Sequence, residues 1–173
     1  MKNRNSITAI LITVLFTSLN FQSLAQKPQD WMAKGNKSIE RGDYKDAVSS
    51  FTNAIHKKPD YAEAYLYRGL ARAKSGSLDM ALYDLTKAIE LDSSNHQAYY
   101  YRGVVHEKKE LYDKAIADFE ATTVYTGDNS KAYYNLGVLY GYRKDFNKAC
   151  ENWRMAAELE DPDAASLVSR HCN

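Results

Sequence analysis

Four glycines recur at a fixed step of 34 residues, at Gly35, Gly69, Gly103 and Gly137, and four alanines keep the same step at Ala47, Ala81, Ala115 and Ala149. Large aromatics hold the register at Trp31, Tyr65, Tyr99 and Tyr133. A second bulky set falls at Tyr44, Leu78, Tyr112 and Phe146, a third at Phe51, Leu85, Phe119 and Trp153, and a mostly small set at Ala54, Ala88, Thr122 and Ala156. A pattern that never slips over four copies constrains the fold more than any composition does. A unit of this length cannot bury its own apolar face, so the units must stack and share one core.

Within a unit the spacing is helical. Trp31, Gly35 and Ser38 lie at i, i+4 and i+7, which puts them on one face of a first helix; Tyr44, Ala47, Phe51, Ala54 and Ile55 do the same for a second. Gly35 and Ala47 predict close backbone approach, with Trp31, Tyr44 and Phe51 filling the space beside them. Between the helices, Gly42 suits a left-handed turn and Asp43 a cap on the next helix. Pro59 closes the unit. Ser75-Gly76-Ser77 repeats the turn, whereas Glu110 replaces its glycine in the third copy, and Gly127 stands where the first copy has proline.

These positions resemble the tetratricopeptide repeat, over residues 28–161, as four units at 28–61, 62–95, 96–129 and 130–161. The resemblance implies an all-α, right-handed α-solenoid of four helix-turn-helix hairpins whose first helices line a concave side. Residues 162–173 are expected to form a capping helix begun at Pro162, with Leu167 and Val168 shielding the open end of the stack.

Residues 1–25 read differently. Lys2 and Arg4 precede an uncharged apolar run from Ile7 to Leu19, and Ser23-Leu24-Ala25 offers small residues for a signal peptidase, so a cleavable signal peptide ending at Ala25 is expected. The alternative is an uncleaved anchor lengthened by Phe21 and Leu24. Export to the periplasm or beyond the cell follows from the first reading, with no stable membrane insertion after cleavage. Cys150 and Cys172 flank Asp161-Pro162 evenly, so antiparallel helices would bring them level, and in an oxidising compartment they would bond; two buried free thiols are the alternative. The ending, Lys-Ala-Cys with a following Trp and a cysteine near the terminus, is similar to that of exported bacterial repeat proteins.

No catalytic constellation emerges. His56, His96, His106 and His171 are scattered without metal-ligand spacing and read as solvated; so do Asp79, Asp84, Glu90 and Asp118. His171 beside Cys172 sits at a chain end rather than in a cleft. There is no phosphate loop, and 23 basic against 22 acidic residues give no field to gather nucleic acid. The reading is a non-enzyme without cofactor or metal. The resemblance places Met32, Asn36, Leu66, Leu70, Tyr100, Val104, Tyr134 and Val138 on the inner face as a peptide-binding groove, flanked by Tyr67, Tyr101, Asn135, Tyr142, Lys74 and Lys108; several of these could instead pack between repeats. The chain does not match the lysine, arginine and asparagine clamp by which some members of that family grip a chaperone's terminal carboxylate: only Asn36 agrees. Apolar contact with weak salt dependence is therefore expected. The function expected is an exported adaptor holding a protein or peptide partner; the alternatives are a self-associating envelope protein, a homo-oligomer, or a module binding glycan or cell-wall material.

Overall fold

The computed structural model describes residues 26–126 and 129–172. The leader assigned to residues 1–25 lies outside them, as does Gly127. Nine helices run through the described residues: α1 Pro28–Glu40, α2 Tyr44–Lys57, α3 Ala62–Lys74, α4 Leu78–Leu91, α5 His96–Lys108, α6 Tyr112–Tyr125, α7 Ser130–Tyr142, α8 Phe146–Glu158 and α9 Pro162–His171. They form four antiparallel hairpins and a terminal helix in a right-handed solenoid. Each helix packs on the one before and the one after, and α1 with α3 and α3 with α5 also touch, so the first helices of the hairpins share one layer.

Every hairpin turns by the same device. The second residue after the first helix takes a positive φ, at Gly42 (+78°), Gly76 (+86°), Glu110 (59°) and Lys144 (61°), and Glu160 (63°) repeats it before α9. The next N–H then reaches back across the turn, from Asp43 to Ser38 O at 2.9 Å, Ser77 to Arg72 O at 2.8 Å and Leu111 to His106 O at 2.9 Å. These bonds satisfy carbonyls the helix end would leave bare. Side-chain caps begin other helices: Asn95, Asn129, Asp145 and Asp161 accept from the N–H groups of Ala98, Ala132, Lys148 and Ala164. Asp43 departs from its expected role. It precedes α2 without capping it, because its carboxylate takes the Arg41 Nε–H at 3.0 Å instead.

The repeating glycines receive the third bulky set. A methyl group on Gly69 would lie 2.8 Å from Leu85 Cγ, and one on Gly103 2.9 Å from the Phe119 ring; at Gly35 and Gly137 it would collide with Phe51 and Trp153. The small residue on the first helix is thus the socket for the large one on the second. Phe51, Leu85 and Phe119 are wholly buried there, and each contributes roughly 1.5–3 kcal/mol by leaving water. The other bulky set divides: Leu78 packs against the core and Tyr44 is partly buried, but Tyr112 is 40% and Phe146 58% exposed, both opening their helices at the turn edge.

A polar ladder accompanies the apolar one. Arg68 donates to Asp84 Oδ2 at 2.9 Å and Oδ1 at 2.8 Å, and to Thr52 Oγ1 at 3.2 Å, so its guanidinium spans α2, α3 and α4. Arg102 repeats this one unit on, with Asp118 at 2.7 Å and Thr86 at 3.3 Å. Arg72 adds a bond to Asp84 at 2.7 Å, and His106, 34 residues later, lies 2.9 Å from Asp118. Asp84 is 0% and Asp118 4% exposed. The reading of these two carboxylates and of His106 as solvated groups is therefore corrected: a buried carboxylate needs a charged partner, and each has two neighbours to supply bonds. The His106 pKa is lowered, since burial outweighs the pull of Asp118, whose charge Arg102 already answers.

The ladder stops at the fourth hairpin, where Leu136 takes the arginine's place and Tyr140 the histidine's; Tyr140 donates to Glu120 at 2.7 Å, and burial together with that carboxylate pushes its phenol up to about 12. Beyond it, Cys150 on α8 and Cys172 after α9 are joined by a disulfide. Leu167 and Val168 pack against the core cluster that holds Trp153 and Tyr140. No helix of the described residues is long and apolar enough to cross a membrane.

Candidate functional site

The layer of first helices carries a hollow of about 340 Å³ between α3, α5 and α7, lined by Leu70, Ala73, Tyr100, Tyr101, Val104 and Val105 and rimmed by Lys74, Lys108 and Lys131. A smaller one of about 210 Å³ adjoins it and shares Tyr100, Tyr101 and Lys131. Helical periodicity explains the arrangement: Tyr100 and Val104 are one turn apart on α5, and Leu70 stands on the same stripe of α3, one repeat before Val104.

Tyr100 is the best-braced of these side chains. Its ring lies 5.7 Å from Phe119 and 5.5 Å, edge on, from Tyr101. Burial pushes its phenol pKa up, and a hydrogen bond with Asn135 pulls it partly back. Glu107, on the same helix, is also raised by burial. Further along, Tyr67 stacks on Phe51 at 5.9 Å, and burial followed by the Glu63 charge raises its phenol. A rigid aromatic floor of this kind loses little freedom when a ligand covers it.

The eight residues expected to line the groove divide into two groups. Leu70, Tyr100, Val104, Tyr134 and Val138 are half-exposed. Met32 and Leu66 are core residues instead, 5% and 2% exposed, because each nests against its neighbouring helices; they leave no surface for a visitor. Asn36 is partly exposed with its amide oxygen buried and unpartnered. Lys131 was missed: it lies outside the 34-residue signature, but its place in the first turn of α7 next to the inner stripe could have marked it. No group of three or more His, Cys, Asp or Glu side chains among the described residues could hold a metal ion.

Equal hairpins sharing one core and exposing a continuous inner face define an α-solenoid scaffold. The chain belongs to the tetratricopeptide repeat family: models described as tetratricopeptide repeats match residues 32–96, 81–129 and 130–161. Folds of this family are generally non-catalytic scaffolds. Among solved structures the chain is similar to MamA, at 24% identity and a TM-score of 0.75 over 86% of each chain. It is also similar to the first such domain of Spaghetti (RPAP3), bound to an HSP90 peptide, at 23% identity and TM-score 0.67 over 69% of this chain and 95% of that one. YrrB, described as having an unusual peptide-binding site, gives 22% identity and TM-score 0.71 over 96% and 86%. At these identities the likeness is one of fold. No curated protein gives a significant match.

Proposed function

We propose that the protein is an exported adaptor that holds an extended segment of a partner protein across its inner face, with Tyr100, Val104, Leu70, Tyr134 and Val138 as the contact surface. One observation carries the reading: the hollow crossing α3, α5 and α7 has an apolar, tyrosine-bearing floor left half-exposed, whereas Phe51, Phe119 and Trp153 are seated in glycine sockets. Peptide binding by RPAP3 and YrrB, as their descriptions have it, supports peptide holding as a use of this fold. Export is supported by the basic-then-apolar leader and by the Cys150–Cys172 bond, a linkage that persists in oxidising compartments. The test is crosslinking in native cells with the Tyr100→Ala/Tyr134→Ala variant beside the parent. Both tyrosines lean on the core from partly exposed positions, so circular dichroism first establishes the variant's fold, and its partner capture then falls at least about tenfold, as loss of two aromatic anchors implies. Undiminished capture removes the groove from consideration.

A second reading, self-association, is favoured by exposed aromatics at the turn edge. Tyr142 is 73% exposed and stacks on Tyr112 at 6.2 Å, close in sequence to the exposed Phe146. Light scattering on the mature chain separates a monomeric adaptor from an assembly.

A further inference from the structure

The inner hollow differs in charge from the other depressions described. Lys74, Lys108 and Lys131 reach it from three successive first helices, and no carboxylate lines it. The adjoining depression adds His96 and again no carboxylate. Elsewhere the signs are mixed: Asp43 and Asp46 with Arg72 at the first turn edge, Glu110 and Asp113 with Arg143 at another, Lys87 with Glu90 on α4. In a chain with 23 basic and 22 acidic residues, this segregation is local rather than a matter of bulk charge. The ion pairs among the described residues engage other cations, so these three ammonium groups face the hollow without a carboxylate of their own. Like charges gathered around an apolar floor repel one another, and an anionic ligand turns that repulsion into attraction.

We propose that the segment held in the groove is acidic: an extended, internal stretch of another protein with carboxylates about three residues apart and an apolar side chain between them. This rests on the groove reading above and narrows it. Lys74 and Lys108 stand one repeat apart on neighbouring helices, a separation of about 8–10 Å for packed helices. A segment extended as a polyproline II helix rises about 3.1 Å per residue and returns to the same face every third residue, so carboxylates at i and i+3, roughly 9 Å apart, meet both lysines. The side chain between them enters the floor of Leu70, Tyr100 and Val104. Lysines are single point charges without the planar fork that matches one carboxylate in two bonds, so the site has no need of a chain terminus. The expectation of weak salt dependence is thereby replaced by a marked one.

The test uses fluorescence anisotropy on the mature protein with a labelled peptide, acetylated and amidated, built on Glu-Phe-Ala-Glu, beside versions with Gln or Lys for Glu. The acidic peptide binds, the Gln and Lys peptides bind at least about tenfold more weakly, and Lys74→Glu/Lys108→Glu weakens the acidic peptide by a similar factor. Both lysines are exposed and unpaired, and circular dichroism confirms the variant's fold. Equal binding of the Gln peptide, an unaffected charge-reversed variant, or a need for a free terminal carboxylate overturns the acidic assignment. Loss of binding in Tyr100→Ala/Tyr134→Ala then still leaves the groove standing; no binding of the acidic peptide overturns the acidic assignment alone, and binding untouched by both pairs of substitutions overturns the groove reading as well.

Discussion

At the scale of single residues, the glycines set the tolerances. Gly137 lies so close to the Trp153 ring that a methyl group cannot enter without moving it, whereas on Gly141, in the same helix, a methyl group would meet Trp153 only at 3.5 Å. Alanine is worth about 1 kcal/mol over glycine inside a helix, and forced overpacking costs about 1–3 kcal/mol. Gly137→Ala is therefore destabilising and Gly141→Ala stabilising by up to about 1 kcal/mol; urea midpoints of the two variants, opposite in sign, check this. Asp84 sets a different tolerance. Wholly buried between Arg68 and Arg72, it is the anion both bind, and Asp84→Asn leaves two partly buried cations without it at a cost of about 3–5 kcal/mol. Equilibrium unfolding of that variant, and of Arg68→Met/Arg72→Met/Asp84→Leu, which removes every charge of the group and loses much less, measures it. This network was legible and was passed over: Arg68 and Arg102, Asp84 and Asp118, and Thr52 and Thr86 all keep the 34-residue step. A carboxylate on a helix reads as solvated because its helical phase says nothing of a partner sixteen residues away on another helix.

At the scale of elements, hairpin length and pairing were readable because spacing alone places Trp31, Gly35, Phe51 and Ala54 on facing stripes. The turns were readable only in part. Gly42 and Gly76 announce a left-handed residue, but Glu110 and Lys144 adopt it without announcing it, since the two helices they join are already fixed by core packing. The terminal element depends on its crosslink. α9 has one wholly buried side chain of its own, Ala164, and leans Leu167 and Val168 on α8. Cys150→Ser/Cys172→Ser opens a loop worth about 3 kcal/mol on the chain-entropy account. The expected result is a matching loss in thermal stability, absent when the parent is compared with the variant in reductant, together with faster amide exchange in α9 than in α4.

At the scale of the whole molecule, every core cluster joins one hairpin to the first helix of the next: Phe51 with Ala64, Leu85 with Val105, Phe119 with Leu136. Contacts are therefore local in sequence, and chains of that kind fold fast. Stopped-flow refolding of the oxidised chain should show its main phase at about milliseconds or faster; a main phase of seconds contradicts it. The depth of the groove was the least readable property. Inner-face phase assigned Met32 and Leu66 beside Leu70 and Val138, but how closely successive hairpins nest decides which of them meets solvent, and nesting is a property of the stack rather than of any one helix. The ending of the arginine ladder bears on how the molecule moves. Three directional bonds fixed at a planar guanidinium bracket the first hairpins, whereas the joint to the last hairpin is held by the Tyr140–Glu120 bond, the exposed Arg143–Asp113 pair and the Tyr112–Tyr142 stack. Buried ion pairs thus brace the first three units while the only ion pair across the last joint among the described residues lies at the surface, so added salt, which screens exposed charges and hardly touches buried ones, is expected to loosen the last hairpin before the others.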